Sequence, residues 1–204
     1  MYKKFVKLII SILTIMLCIS FTFTPIDAAV GKQGYAVYRD GVFFGLDWHA
    51  GMMVQGTRTN YKPVAHAPGT GSQVKADDWS KFMDGNNFKG VYRPNKSPTS
   101  AARDLFVATA RSLGPENISY NLAYQMYYDT GTAGSYVSAN EISSMRCDGV
   151  VEFVYEFHNY RVYGSNTYWD ITKNSFWGRD HHSGTAITPK KQVNYLTKVS
   201  SSQP

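Results

Sequence analysis

The chain of 204 residues has the length of one ordinary domain, and two full domains are not expected. Hydrophobic residues make up 43% of the chain and charged residues 18%, which excludes a charge-rich disordered protein, and a mean hydropathy of -0.31 excludes one that crosses a membrane repeatedly. Neither heptads nor a longer internal repeat is present, so coiled coils and solenoids are excluded as well. Fifteen tyrosines, eleven phenylalanines and 17 glycines favour a fold rich in strands and turns.

The N-terminus has the pattern of a secretory signal peptide. Three lysines within the first seven residues precede an apolar run over residues 8–23, and the small residues Ala28 and Ala29 follow as a cleavage site. We therefore predict that residues 1–28 are removed on export and that residues 29–204 form a single secreted or wall-associated domain. Removal takes away three lysines and one aspartate, which lowers the net charge from +6 to +4.

Two other interpretations of this N-terminal segment remain open. A retained membrane anchor would need a longer apolar run than residues 8–23, with a flank that stops transfer. A lipoprotein would be modified at Cys18, but Leu17 stands where a small residue is required before that cysteine.

A meander of short β-strands is predicted after the signal peptide. The expected strands lie at 34–39, 41–48, 49–55 and 62–67. A hairpin turn centred on Thr57 and Arg58 would place His49 directly opposite His66 on one face of the sheet. Gly51 shares that face, and we expect it to leave open space for a substrate. Two such imidazoles can serve as a general base and its orienting group, and two unrelated strand histidines are the alternative.

The middle of the chain mixes helices with a further strand. A short helix is predicted over 77–84, a strand over 88–93 and an amphipathic helix over 100–113. The tyrosine-rich stretch 120–136 is expected to form either a groove wall or a packed loop. Together these elements predict an α+β fold.

Cys147 is the candidate nucleophile, because it is the only cysteine that remains after the signal peptide. Apolar residues recur at helical spacing from Cys147 onward, and a capping box at Ser138 and Glu141 lies upstream. A thiol at a helix N-terminus faces the positive end of the helix dipole, so we expect an accessible thiol of lowered pKa. Gly149 is expected to keep the first turn free of side chains. A buried structural cysteine is the alternative.

Three stretches together resemble a known enzyme family. They are Trp48–Val54, Val64–Pro68 and Arg146–Tyr155, the last reading Arg-Cys-Asp-Gly-Val-Val-Glu-Phe-Val-Tyr. Their order is similar to that of the NlpC-type papain-like cysteine hydrolases in the circularly permuted branch, where the histidine strand precedes the cysteine helix. This branch includes YiiX-like proteins and relatives of lecithin:retinol acyltransferase. The resemblance covers about residues 34–160.

The resemblance implies a fold, an activity and a set of catalytic residues. The fold would be papain-like, with an antiparallel sheet or barrel packed against the cysteine helix. Cys147 would be the nucleophile, His49 the general base and acid, and His66 the residue that orients His49. The implied reaction is hydrolysis of an amide bond in a cell-wall peptide or other short peptide through a thioester, with no cofactor or metal. Tyrosine side chains are candidates for a second oxyanion donor.

The chain departs from the family pattern at Arg146, where many members have Asp or Asn, and at Asp148, which replaces a serine. These departures leave the local electrostatics and the substrate open. A lipid acyltransferase or lipase on the same scaffold is one alternative, and a wall-binding module without turnover is another. The modest positive charge suits anionic wall polymers or lipid head groups, and we expect no nucleic-acid partner.

The sequence Asp180-His181-His182 contains residue types that bind zinc. Zinc needs three or four convergent ligands, and no regular spacing joins this pair to His158, so an exposed loop is the simpler interpretation. The residues predict no particular oligomeric state.

Overall fold

The computed structural model describes residues 31–42, 45–128, 137–163 and 187–204. The predicted signal peptide and the histidines at 181 and 182 lie outside these ranges. Among the helices that the structure describes, none combines the length and apolarity needed to cross a membrane.

The largest element is an open sheet of six strands in the order β4-β3-β2-β1-β5-β9, in which every neighbouring pair is antiparallel. These strands are β1 Ala36–Val42, β2 Asp47–Met53, β3 Val64–His66, β4 Lys75–Asp77, β5 Phe88–Pro94 and β9 Leu196–Ser200. A smaller sheet has the order β6-β8-β7 and consists of β6 Ser119–Tyr120, β7 Met126–Tyr128 and β8 Ile142–Met145.

Four α-helices surround the large sheet within the described ranges. They are α1 Trp79–Met83, α2 Ser100–Ser112, α3 Cys147–Glu156 and α4 Pro189–Gln192. Short 3₁₀ turns lie at Gly114–Glu116, Ala139–Glu141 and Val193–Tyr195. Because the sheet is antiparallel and the helices are few, the predicted α+β class is confirmed. The barrel form is not confirmed. Within the described residues β4 and β9 are the two edges of the large sheet and do not pair with each other, so the sheet is open.

Side chains alternate across the large sheet and form two apolar clusters. Ala50 and Met52 of β2 join the larger cluster with helix α3, whereas Met53 joins the smaller cluster with Phe82 of α1. Both faces of β2 are therefore covered, and its residues from His49 to Met53 are buried. A strand covered on both faces gives a fixed frame for any group attached to it.

Helix α3 is buried at every position and lies against β2. Its Tyr155 hydroxyl accepts the Ala36 N–H at 2.8 Å and donates to the Tyr92 carbonyl at 3.2 Å, which ties the helix to two strands. The Phe106 ring of α2 meets the Tyr155 ring edge-on at 5.0 Å between centroids. These contacts fix the C-terminal end of α3 relative to the sheet.

The sequence predicted some boundaries correctly and others wrongly. The amphipathic helix runs over Ser100–Ser112, close to the expected 100–113. The strands expected at 41–48 and 49–55 are wrong, because β1 continues to Val42 and one strand, Asp47–Met53, follows. The capping box at Ser138 and Glu141 is present, but it caps the 3₁₀ turn before β8 instead of helix α3.

Candidate functional site

Cys147 is the first residue of helix α3, as the sequence predicts. Arg146 precedes it with an extended backbone, so the chain turns into the helix at the cysteine. The backbone of Ala50, the residue directly after His49 in β2, lies close enough to the Cys147 thiol to act on its pKa.

The environment of Cys147 contradicts the expected accessible thiol of lowered pKa. The residue is buried, with 5% of its surface exposed. Burial raises the pKa of the Cys147 thiol to about 12, and the Asp148 carboxylate raises it further, while the Ala50 N–H and Arg146 act in the opposite direction. Desolvation therefore outweighs the helix dipole at this position, and the thiol is neutral in the resting protein.

The two strand histidines form a close pair. The Nε2 atom of His49 lies 2.7 Å from the Nδ1 atom of His66, and the ring centroids are 5.0 Å apart. The predicted register is wrong by two residues, because Met52 pairs with Ala65 and Met53 with Val64. A shift of two preserves the face of each side chain, so the rings meet as diagonal neighbours instead of opposed ones.

Asp77 extends this pair to a chain of three groups, and the sequence analysis missed it. Its Oδ2 atom lies 3.2 Å from the Nε2 atom of His66, and Lys75 contacts the same oxygen at 3.1 Å. The hydrogen bond from His66, with help from Lys75, lowers the pKa of Asp77 to about 2, so the carboxylate is ionised. Asp77 ends the strand that follows β3, whereas the sequence predicts residue 77 as the start of a helix, and this hides its place beside His66.

The chain of hydrogen bonds determines which nitrogens carry protons. An ionised carboxylate only accepts, so His66 donates its Nε2–H to Asp77 and presents Nδ1 as an acceptor. His49 then donates its Nε2–H to His66. The Nδ1 atom of His49 consequently carries a lone pair, and in the described part of the structure it has no hydrogen-bond partner. That atom is the one able to accept a proton.

Both imidazoles are neutral in this environment. Burial lowers the pKa of His49 well below its ordinary value, and the neighbouring His66 and Arg39 lower it further. Burial also lowers the pKa of His66, although Asp77 acts in the opposite direction. A neutral His49 is the protonation state that a general base requires.

Arg39 is a buried cation next to the histidines that the sequence analysis did not identify. It pairs with His49 across β1 and β2, and its side chain donates to the carbonyls of Phe82 and Asp40. Its nearest carboxylate is Asp84, at 3.8 Å. The positive charge of Arg39 disfavours protonation of His49. Burial lowers the pKa of Arg39 itself, while Asp84 and Cys147 act in the opposite direction.

Cys147 packs against β2, the strand that carries His49, but in the described structure the two side chains are not in direct contact. Cys147 belongs to the cluster on the α3 face, and the His49 ring contacts Phe82 of the other cluster, with centroids 5.6 Å apart. Among the described contacts no hydrogen bond links the Cys147 sulfur to His49. Proton transfer between them therefore requires a movement of either side chain.

The two departures from the family pattern form one buried ion pair. Arg146 and Asp148 are joined by two hydrogen bonds, of 2.9 Å and 2.8 Å, and Gln125 donates a third to Asp148 at 3.0 Å. Arg146 also donates to the Ile187 carbonyl at 2.8 Å. Arg146 and Asp148 thus anchor the cysteine turn to two other segments.

A second polar contact fastens the same turn from α4. The Gln192 side chain donates to the Asp148 carbonyl at 3.0 Å and to Glu152 at 2.7 Å, and it accepts the Tyr38 hydroxyl at 2.8 Å. Burial raises the pKa of Glu152 well above its ordinary value, with Glu156 adding to the shift. The first turn of α3 is therefore held by hydrogen bonds on several sides.

The two glycines near the site do not leave open space. A Cβ on Gly51 would lie 2.5 Å from Val64 Cγ1 and 3.1 Å from Phe82 Cε2. A Cβ on Gly149 would lie 2.1 Å from the Gln125 carbonyl oxygen. The expectation of free space at both positions is wrong, since each glycine permits close packing.

The remaining candidates lie apart from this chain of groups. His158 shares a 2.7 Å hydrogen bond with Thr109 on α2. Burial raises the pKa of Tyr120 to about 12, with contributions from Cys147 and Asp148, so this tyrosine is near enough to sense the cysteine. Within the described ranges no three side chains of His, Cys, Asp or Glu are grouped to hold a metal ion.

Comparisons with models of known protein families, with curated proteins and with solved structures found no match to this chain.

Proposed function

We propose that this protein is a secreted thiol hydrolase that cleaves amide bonds in cell-wall peptides or other short peptides, on a circularly permuted papain-like scaffold. Cys147 is the nucleophile, His49 the general base and His66 the orienting residue. Asp77 joins them as the group that holds His66. No metal or cofactor takes part, and the substrate peptide is the partner.

The observation that carries this proposal is the chain Asp77–His66–His49, which leaves a lone pair on His49 Nδ1. The Cys147 thiol lies near the backbone of Ala50, the residue that follows His49 in the same strand. Covalent acyl transfer requires a nucleophile, a base and an orienting group. Here the base and its orienting groups lie on one face of β2, and the nucleophile packs against the other face.

In the proposed reaction the neutral thiol loses its proton as it attacks. His49 Nδ1 accepts the proton while the Cys147 sulfur bonds to the carbonyl carbon, and the backbone N–H groups at the start of α3 stabilise the oxyanion. His49 then gives the proton to the leaving amine, and the thioester forms. Water hydrolyses the thioester with His49 again acting as base. Substrate binding has to bring His49 and the sulfur together.

A binding module without turnover is the second candidate. The burial of Cys147 and its pKa of about 12 favour it, because a thiol of this kind is unreactive until its surroundings change. A lipase or lipid acyltransferase on the same scaffold is a further alternative, which the test below distinguishes by its product.

The test is hydrolysis of purified peptidoglycan and of short acylated peptides, followed by the release of primary amines and by product mass. We expect Cys147→Ala and His49→Ala to abolish release, His66→Ala to retain part of it, and His158→Ala to match the wild type. Release of fatty acid from lipids but not of amines would identify a lipase. Binding of wall peptides with no products from the wild type would identify the binding module.

Export is part of the proposal and has its own test. The intact mass of the protein recovered from the culture medium is expected to correspond to a chain that starts at or within a residue or two of Ala29. A product that keeps Met1 and stays in the membrane fraction would instead be an anchored protein.

A further inference from the structure

Helix α3 carries three acidic residues along one side, although the whole helix is buried. Asp148, Glu152 and Glu156 follow one another at intervals of four residues, so they share one face of the helix. Their exposed fractions are 0%, 0% and 5%. Buried carboxyl groups are costly unless each is paired or hydrogen-bonded. The proposed reaction makes no use of Glu152 or Glu156.

The two outer carboxyl groups have donors of their own. Asp148 is bound by an arginine and a glutamine. The Oε1 atom of Glu156 accepts the backbone N–H groups of Val162 at 3.0 Å and Tyr163 at 3.2 Å. Hydrogen bonds from N–H groups favour a carboxylate over a carboxylic acid. Of the neighbours Glu152 and Glu156, we therefore assign Glu156 as the ionised one.

Glu152 is the protonated member of this pair. Burial raises the pKa of Glu152 well above its ordinary value, Glu156 and Asp148 raise it further, and the hydrogen bond from Gln192 acts in the opposite direction. That bond, of 2.7 Å, ends at the Oε2 atom of Glu152. A carboxylic acid can accept at one oxygen while the other carries the proton. In the resting protein Glu152 and Glu156 together carry one negative charge instead of two.

Gln192 joins Glu152 to two other parts of the structure. Its side-chain nitrogen also donates to the Asp148 carbonyl at 3.0 Å, and its oxygen accepts the Tyr38 hydroxyl at 2.8 Å. Gln192 is fully buried and is the last residue of α4, which is a single turn of four residues. A helix this short is not stable by itself, so α4 depends on such contacts for its position.

Few other charged groups act on Glu152. The faces that β2, β3 and α2 turn toward α3 are apolar in the described structure, with Ala50, Ala65 and Phe106 in the shared cluster. The remaining titratable groups near Glu152 in the described ranges are Cys147, Asp148 and Glu156 of α3, Tyr38 of β1, and the exposed Lys190 and Lys191 of α4.

We propose that Glu152 and Gln192 form a proton-controlled latch, which holds α4 against helix α3 while Glu152 carries its proton and releases α4 when that proton passes to water. An ionised Glu152 would lie buried beside the charge of Glu156, and hydration relieves this cost. The element that moves is α4, because it is a single turn and borders an open groove lined by Thr188 and Val193.

Release of α4 also affects the turn that carries Cys147. It removes the hydrogen bond from Gln192 to the Asp148 carbonyl, one of the bonds that hold the first turn of α3. The latch is a regulatory device of the fold and does not rest on the proposed hydrolase function.

The pH dependence of the latch has a definite sign. The open form exposes Glu152, whose pKa then returns to about 4.5, while in the closed form the pKa is raised. Opening therefore releases a proton at any pH between these two values. In that interval the equilibrium constant for opening rises about tenfold for each pH unit, and it is constant outside the interval.

The test is amide hydrogen exchange followed by NMR between about pH 5.5 and pH 8, with rates corrected for the exchange of an unstructured chain. The N–H groups of Lys190 and Gln192 report on α4, because they donate to Asp47 Oδ1 at 3.0 Å and to the Thr188 carbonyl at 2.7 Å. We expect their protection to fall by about tenfold per pH unit. The amides of the central strand β1 should stay more strongly protected throughout.

Three variants separate the latch from other effects. Glu152→Gln keeps the size of the side chain but cannot ionise, so the protection of α4 should no longer depend on pH. Glu116→Gln, at an exposed glutamate, is the matched control and should keep the dependence of the wild type. Gln192→Ala breaks the latch from the other side, and it should lower the protection of the Lys190 N–H about tenfold at about pH 5.5, the loss of one buried hydrogen bond.

Each contrary outcome would overturn the latch. Protection of α4 that is independent of pH in the wild type would mean that Glu152 does not control it. A dependence that survives Glu152→Gln, or that Glu116→Gln also removes, would have another cause. Equal protection of α4 and β1 at every pH would mean that α4 opens only when the whole domain unfolds. None of these measurements uses a substrate, so a latch that behaves as expected in a protein without hydrolase activity would stand while the proposed function failed.

Discussion

The Nε2 atom of His49 lies 2.7 Å from the Nδ1 atom of His66, although the two residues are not opposed in the register of β2 and β3. The rings meet diagonally across the strands, and Phe82 packs against both, with centroids 5.6 Å and 5.4 Å away. This wall of apolar surface excludes water from the pair. The hydrogen bond between the imidazoles is therefore made in a setting of low dielectric, where it directs the tautomer strongly.

The first prediction concerns Asp77, which we expect to control the tautomer of both histidines. Asp77→Asn replaces one carboxylate oxygen by an amide that can donate to His66 Nε2. The proton on His66 then moves to Nδ1, and His49 loses the acceptor that keeps its own Nδ1 unprotonated. We expect kcat/KM for peptide hydrolysis to fall by about 10- to 100-fold, with the loss mainly in kcat.

Lys75→Gln is the matched control, because Lys75 contacts the same Asp77 oxygen, while its only link to the histidines is its backbone pairing with His66 and a weak charge effect on that ring. Its kcat/KM is expected to change by less than about threefold. If Asp77→Asn behaves like Lys75→Gln, the carboxylate does not direct the tautomers.

The second prediction is a loss of stability as the pH falls below 7. His49 and His66 have folded pKa values below 6.5, so in the unfolded chain they bind protons that the folded protein excludes. The unfolded state gains protons as the pH falls through 6.5, and the free energy of unfolding decreases from there downward. Each histidine contributes at most about 1.4 kcal/mol per pH unit.

Urea unfolding between about pH 7.5 and pH 5.5 measures this effect. The raised pKa of Glu152 acts in the opposite direction, because its folded state holds a proton that the unfolded carboxyl releases above about pH 4.5. The comparison is therefore made with His49→Gln, in which the Glu152 contribution is unchanged. The variant should show a shallower loss on acidification, and an equal slope would mean that His49 is not held neutral by the fold.

The third prediction concerns the reactivity of Cys147 in the absence of substrate. A buried thiol with a pKa of about 12 contains very little thiolate at neutral pH. We expect iodoacetamide to modify the native protein at least about 100-fold more slowly than the protein unfolded in urea, as followed by intact mass. Equal rates would support the accessible thiol that the helix position predicted.

The sequence predicted the positions of the functional residues better than it predicted their environments. Cys147 at a helix start follows from local apolar spacing, and the proximity of His49 and His66 survives a register error of two residues because strands alternate with period two. These are properties of short segments. They can be inferred without the tertiary structure.

The environments depend on contacts between distant segments, which the sequence does not reveal. The burial of Cys147 and the role of Asp77 follow from how α3 and β4 pack against β2 and β3. Arg146 and Asp148 looked like changes to the local charge, yet they bind each other and the segment at Ile187. A pattern of charges along the chain does not tell whether two of them pair.

The last prediction tests whether Gly149 is required by packing. In an ordinary helix, replacing glycine by alanine stabilises the protein by up to about 1 kcal/mol. Here a Cβ would lie 2.1 Å from the Gln125 carbonyl oxygen, which also accepts the Arg146 N–H at 2.9 Å, so the loop cannot retreat without breaking that bond. We expect Gly149→Ala to lower the free energy of urea unfolding by about 1–3 kcal/mol.

Gly114→Ala, where nothing lies within 4 Å of the new Cβ, is the control and should stay within about 0.5 kcal/mol of the wild type. If Gly149→Ala is neutral or stabilising, the approach of Gln125 to the cysteine turn is not as close as the structure has it, and the anchoring of that turn by Gln125 has to be abandoned.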